Sequence, residues 1–124
     1  MSNLIDSDAT KLLGKFLDLN AYRQGLVSSN IANIDTPGYQ TKDIDFKGEL
    51  QRSMSSATED SPSPFGPSVK NVPDLTLRPD GNNVSLDREA MMLSETQLKF
   101  RLGVQLLKSD FHTIAMAIND GKAS

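Results

Sequence analysis

Apolar residues recur at a helical period in two stretches, one near each end of the chain. In the later stretch Leu86, Leu93, Phe100, Leu107 and Ile114 fall every seventh residue, and Ala90, Gln97, Val104, Phe111 and Ile118 form the complementary row. Steps that alternate between four and three residues, with Gln97 the only polar interruption, predict a coiled-coil helix over about residues 86–119. Ser85 or Asp87 can cap its start, Asp87 and Glu89 place acids where the helix dipole favours them, and Asn119-Asp120-Gly121 is the expected stop. In the earlier stretch Ile5, Leu12, Leu19 and Leu26 make one stripe, flanked by Leu13, Phe16 and Val27, and predict a helix over about residues 5–34. Its second row is broken, because Ala9 and Phe16 are followed at the same spacing by Arg23 and Asn30. Ala21, Gly25 and Ser29 form a ridge of small side chains that would let another helix approach closely.

Between these helices the pattern changes. Pro37 disfavours helical backbone at Thr36, so the first helix should stop near Asn33–Asp35. Thr36-Pro37-Gly38-Tyr39 then reads as a turn, with Pro37 presetting φ at its second position and Gly38 taking positive φ at its third. Residues 41–46 are expected to be briefly extended, with Ile44 and Phe46 on one side. Ser53 to Pro73 carries six Ser, four Pro and one Gly, which predicts a flexible segment or one that orders on a partner. Leu75-Thr76-Leu77 is a candidate short strand closed by a turn at Arg78-Pro79-Asp80-Gly81. The expected fold is mainly α, in one domain spanning residues 1–124. Long N- and C-terminal helices form an antiparallel coiled coil, joined by a turn and extended segment over 35–52, a flexible Ser/Pro-rich middle over 53–73 and a turn over 74–85.

Composition narrows the function. Hydrophobic residues are 37% of the chain, aromatics are 6% and there is no Trp, so a dense self-sufficient core is not expected. Thirteen basic residues face 16 acidic ones for a net charge of -3, and the basic ones are scattered singly. That arrangement lacks the concentrated positive footprint of a nucleic-acid binder. No apolar run reaches the about 18 residues of a membrane span, and the acidic Met1–Asp8 has no apolar stretch of a cleavable secretory signal. With no Cys, thiol chemistry and disulfides are excluded. The lone His112 sits beside the apolar rows, and the carboxylate pairs Asp6/Asp8 and Asp43/Asp45 lack the Gly and distant Glu of a calcium loop. Gly14-Lys15 lacks the rest of a phosphate loop. No enzyme, cofactor or metal site is expected.

Asn30-Ile31-Ala32-Asn33-Ile34-Asp35-Thr36-Pro37-Gly38-Tyr39 resembles the N-x-A-N-x-x-T-P-G-Y signature of bacterial flagellar rod and hook proteins. Lys42-Asp43-Ile44-Asp45-Phe46 resembles the D-[IL]-D-F extension found among basal-body rod members of that superfamily. Asp80-Gly81-Asn82 with Val84-Ser85-Leu86-Asp87 resembles the D-G-N-x-V-x-L-D stretch that opens the C-terminal helix. Gln40 departs from the pattern, which commonly has a basic residue there. The resemblance implies a structural subunit of the proximal rod of the flagellar basal body, self-assembling through its terminal helices into a helical tube around the export channel. The partners it implies are further copies of the chain, FlgC-like and FlgF-like rod proteins, the rod-base adaptor FliE, and the membrane ring and export gate. It also implies a place in the rod within the periplasmic space, reached through the flagellar type III export apparatus without a cleaved signal. The assembly candidates are then Asn30, Ala32, Asn33, Thr36, Pro37, Gly38, Tyr39, Asp43, Ile44, Asp45 and Phe46, with Leu12, Leu19, Leu26 and the two rows of the C-terminal helix as the seam. The alternatives are another subunit of the superfamily, FlgC-like, or a cytosolic coiled-coil adaptor or export chaperone.

Overall fold

The computed structural model describes residues 8–55 and 66–123, the side chains of 110, 111, 113–115 and 117–123 excepted. The elements run α1 (Asp8–Ala32), β1 (Lys42–Ile44), α2 (Phe46–Ser55), β2 (Val69–Asn71) and α3 (Leu86–Ala123). α1 and α3 pack in opposite directions: Asn20 meets Thr96, while Phe16 and Leu17, further back on α1, meet Gly103, further on along α3. β1 and β2 pair antiparallel with Lys42 opposite Asn71 and Ile44 opposite Val69.

The core is small, as the composition implies. Leu19, Ile44 and Phe46 are buried together, with Phe16, Leu26 and Leu50 packed against them. Phe16 and Phe46 meet edge to face, with ring centroids 5.4 Å apart at 87°, a favoured aromatic geometry. Val27, Val84 and Met92 are also buried. On α1 the expected stripe is the one used: Leu19 is buried and Leu12 and Leu26 are partly so, while Ile5 lies outside the described residues.

On α3 the expected face is rotated to one side of the contact with α1 and only partly covered. Leu86 and Phe100 are 56% and 48% exposed, Ala90 and Gln97 are exposed, and Leu93, Val104 and Leu107 are only half-buried. The side chains of Phe111, Ile114 and Ile118 lie outside those described. Glu89, Met92, Thr96 and Gly103 are the buried positions instead. Steric and polar anchors set this rotation. A Cβ at Gly103 would stand 2.7 Å from Leu17 Cδ2 and 3.1 Å from Phe16 Cδ1, so Gly lets those side chains pack in this position and any larger residue would make them shift. The Asn20 amide donates to the Thr96 carbonyl at 2.6 Å, and Arg88 reaches Asp43 beneath.

Other expectations need correction. Residues 46–55 form α2, where an extended segment followed by a flexible one was expected. Asp45 explains the change: its carboxylate accepts from the Gly48 amide at 3.2 Å and its carbonyl from the Glu49 amide at 2.8 Å, capping a new helix. A Cβ at Gly48 would collide with that carboxylate. Residues 69–71, also within the expected flexible segment, pair as β2; the rest of that segment from 56 to 65 lies outside the described residues. Among the described residues Leu75-Thr76-Leu77 pairs with no strand. α3 continues through Asn119-Asp120-Gly121 to Ala123, since a lone Gly costs a helix only about 1 kcal/mol. The small-residue ridge Ala21, Gly25 and Ser29 is exposed, and a Cβ at Gly25 would meet nothing within 4 Å. No helix among the described residues is long and apolar enough to cross a membrane.

Candidate functional site

The signature residues gather where α1 ends, against the loop that leads into α3. α1 closes on its own side chains. Asn33 donates from both its backbone amide, at 3.1 Å, and its side-chain amide, at 2.8 Å, to the Ser29 carbonyl, and its side-chain oxygen accepts from the Thr36 hydroxyl at 3.0 Å. Pro37 follows, and the Tyr39 amide closes the turn on the Thr36 carbonyl at 3.2 Å. Gly38 takes φ +75°, as the turn pattern predicts.

Asn30, one turn before the helix end, is fully buried. Its amide donates to the Lys42 carbonyl at 2.9 Å, and its oxygen accepts the Lys42 amide at 3.1 Å and the Tyr39 hydroxyl at 2.9 Å. One carboxamide therefore pairs both backbone groups of Lys42, as a neighbouring strand would. β1 is held against α1 by a helix side chain on one edge and by β2 on the other.

The second half of the clasp comes from the loop before α3. Gly38 donates to the Asp80 carbonyl at 2.9 Å. A Cβ at Gly81, where φ is +84°, would lie 3.3 Å from the Gly38 Cα, so the two glycines let the loops touch backbone to backbone. The Asn82 amide donates to the carbonyls of Asn33 and Thr36, each at 2.9 Å, and Arg78 donates to the Ile34 carbonyl. The Asn83 oxygen accepts from the Thr41 amide at 2.7 Å and the Thr41 hydroxyl at 2.9 Å. Gln40 spans the gap, donating to the Gly81 carbonyl at 2.7 Å and accepting from the Asn83 amide at 3.0 Å. A neutral side chain that both donates and accepts fits here, whereas a cation in its place could only donate.

Beyond the turn, each residue of the Asp43–Phe46 run has its own task. Ile44 and Phe46 enter the core and Asp45 caps α2. Asp43 ties three elements together. It accepts from Arg23 of α1 at 3.0 and 2.9 Å, from Arg88 of α3 at 2.7 Å and from the Ile44 amide at 2.8 Å. Burial works to raise the Asp43 pKa, but the hydrogen bond and charge of Arg23, the Ile44 amide and the Arg88 hydrogen bond together hold it below the ordinary carboxylate value. Arg88 also donates to the fully buried Glu89 at 2.7 Å. Arg23 and Lys99 lie over the Phe46 ring, at 5.8 and 4.3 Å from its centroid.

Asn30, Asn33, Thr36, Gly38, Tyr39 and Asp43 thus meet in one network, whereas Ala32 and Pro37 are exposed and shape the helix end without joining it. Arg23, Arg88, Glu89 and Asn83 went unread as site residues. The signal for Arg23 was its polar interruption of an apolar row, the same one that Asn30 makes. Chemically the arrangement binds backbone to backbone. Among the described residues no group of His, Asp and Glu could hold a metal ion, and His112 is exposed.

Comparison with known proteins agrees with this geometry. The family model for the flagella basal body rod protein matches residues 17–40, the second half of α1 and the turn after it. The chain is 33% identical over 123 residues to the flagellar basal body rod protein FlgB of Salmonella typhimurium, covering 85% of this chain and 88% of that one. It is 32% identical to FlgB of Yersinia enterocolitica and 31% identical to FlgB of Escherichia coli K12, with 85% of this chain covered in both.

Proposed function

The chain belongs to the FlgB family of flagellar basal body rod proteins, and on that premise we propose that it builds the proximal rod by packing its terminal helices with those of its neighbours. It is a structural rod subunit and not an enzyme. The observation that carries the finer reading is the division of labour between polar and apolar groups. The clasp fixes α1, β1 and the start of α3 with hydrogen bonds, while Leu86 and Phe100 of the apolar rows of α3 stay exposed in the single chain and Leu93, Val104 and Leu107 are only partly covered. Copies related by a rotation that does not close form a helical tube, and such an assembly supplies the missing cover. Around that tube its neighbours would be FlgC-like and FlgF-like rod proteins, the adaptor FliE, and the membrane ring and export gate. The subunit would reach the periplasmic rod through the flagellar type III apparatus with its N-terminus intact.

The test is cofractionation. A tagged chain expressed in its own flagellated host should appear in purified hook–basal bodies at the rod, with its N-terminal residues uncleaved by mass spectrometry. A chain that stays wholly in the soluble fraction while restoring motility would favour the adaptor instead.

A further inference from the structure

α3 has three faces, and the chain uses one. At 100° per residue, the buried positions Glu89, Met92, Thr96 and Gly103 share one side, which meets α1. Centred roughly 80° around the helix, and merging with the buried side at Leu107, lie Leu86, Ala90, Leu93, Gln97, Phe100, Val104 and Leu107, the rows that the sequence pattern marks. A further 145° or so around lies a second stripe, Met91, Leu98, Leu102 and Met116, exposed by 63%, 67%, 54% and 52%. The two uncovered faces differ in form. The first borders an open groove of about 310 Å³ between the helices, lined by Gln24, Gln97, Phe100 and Arg101. The second is a convex row of unbranched or γ-branched side chains.

We propose that the convex Met91–Leu98–Leu102 row of one copy seats in the Gln24/Phe100/Arg101 groove of the next, a head-to-tail contact between two copies of this chain. This rests on the rod-subunit reading and specifies its faces. Three observations favour a second copy as the occupant. Ridge and groove occur on one chain, on opposite flanks of one helix, so each copy offers what the next requires. The charges match as well: Arg101 and Lys108 flank the groove side and Asp87 flanks the ridge, all three in no ion pair among the described residues, while Glu95 on the ridge side pairs with Lys99 at 3.1 Å. Finally, the areas require both faces. From Met91 to Met116 the helix runs about 38 Å, and a strip about 10 Å wide covers about 400 Å² per side. That is half of the roughly 800 Å² per partner in a standard stable interface. A twofold dimer through the ridge alone would be weak and would leave the groove empty. An open chain of copies fills both.

The cysteine-free chain makes the test direct. Tagged chains carrying Gln24→Cys with Leu102→Cys, or Gln24→Cys with Leu98→Cys, are assembled under reducing conditions, and hook–basal bodies are purified and then oxidised with copper phenanthroline. Gln24 and the ridge lie on opposite flanks of α3, so a bond within one chain is out of reach. The expected result is a ladder of covalent multiples of the tagged chain for a double variant and none for any single variant. Three results would overturn the proposal: incorporated double variants that give no ladder, a single ridge cysteine that dimerises alone, or a groove cysteine that links only to a different rod protein. Should the tagged parent chain itself be absent from the particles, the rod-subunit reading would fail first and this contact with it.

Discussion

Replacing Asn30 by Ala tests whether the clasp rests on one carboxamide. Thr41 accepts from Val72 across the β1–β2 pair at 2.9 Å, and the alternation of an antiparallel ladder then turns both backbone groups of Lys42 away from β2, toward Asn30. With Ala at position 30 those two groups lose their partner at a buried site. The half-buried Tyr39 hydroxyl can turn to water. A buried backbone group left unpaired costs about 1–3 kcal/mol, so the change should cost roughly 2–4 kcal/mol, a large part of the about 5–15 kcal/mol that holds a domain together. Asn33→Ala, which loses exposed hydrogen bonds, should cost only about 1 kcal/mol. Asn30→Asp keeps the shape and the acceptor but sets a carboxylate against the Lys42 carbonyl. It should be as harmful as Ala at neutral pH and recover on acidification, when the protonated acid can donate again. Urea unfolding followed by far-UV circular dichroism gives the energies, and hydrogen exchange at the Lys42 amide gives the location. An Asn30→Ala chain within about 0.5 kcal/mol of the parent, with Lys42 exchange unchanged, would refute the reasoning.

The other predictions use the same urea assay. Asp43 has a depressed pKa when folded, so its stabilising contribution is complete above the unfolded value of about 3.9 and is lost as pH falls through the folded value. The stability gap between the parent and Asp43→Asn should therefore be constant from pH 7 to 5 and shrink below about pH 4; a gap that widens in acid would contradict it. Gly81→Ala should cost more than Gly38→Ala. Both impose strain of about 1–3 kcal/mol at positive φ, but only at Gly81 does the new Cβ meet backbone, at 3.3 Å; the opposite order would show that the loops are not in contact. Phe46→Ala should cost about 3 kcal/mol or more, while Met54→Ala on the same helix, 56% exposed, should stay within about 0.5 kcal/mol. Equal costs would mean that α2 is not docked by its first residue.

What the sequence disclosed followed from how local each signal was. The end of α1, the turn and the positive φ of Gly38 are set within a few residues by Asn33, Pro37 and Gly38, and they were legible. The packed stripe of α1 was legible too, because its apolar residues face a core. α2 escaped notice because Ile44 and Phe46 alternate as in a strand, and the capping role of Asp45 shows only once Gly48 is seen to leave room for it. The face of α3 could not be read from periodicity. Apolar rows reveal which side of a helix needs cover, but not whether the cover belongs to the same chain. The signals that orient α3 within the chain are Gly103, Thr96 and the Arg88–Asp43 pair, a missing side chain and polar groups whose partners lie far off in sequence.

That division has an energetic logic. A chain with few apolar residues cannot use the same ones both for its own fold and for its neighbours. Burial is non-directional and scales with area, so an apolar intrachain seam would compete with the assembly for the same surface. Hydrogen bonds are directional and add little net energy each, but an unpaired buried group is costly, so a network such as Asn30–Lys42 or Asn82–Asn33 fixes one geometry without consuming apolar area. The cost of leaving it incomplete makes the clasp specific. On the packing proposed above, the chain's apolar rows would stabilise the folded form chiefly when a neighbour binds, because a partner that binds only the folded state shifts the equilibrium toward it. Folding of the subunit and growth of the rod would then be one coupled process, in which the signature residues choose the shape and the exposed apolar residues of α3 supply the driving force.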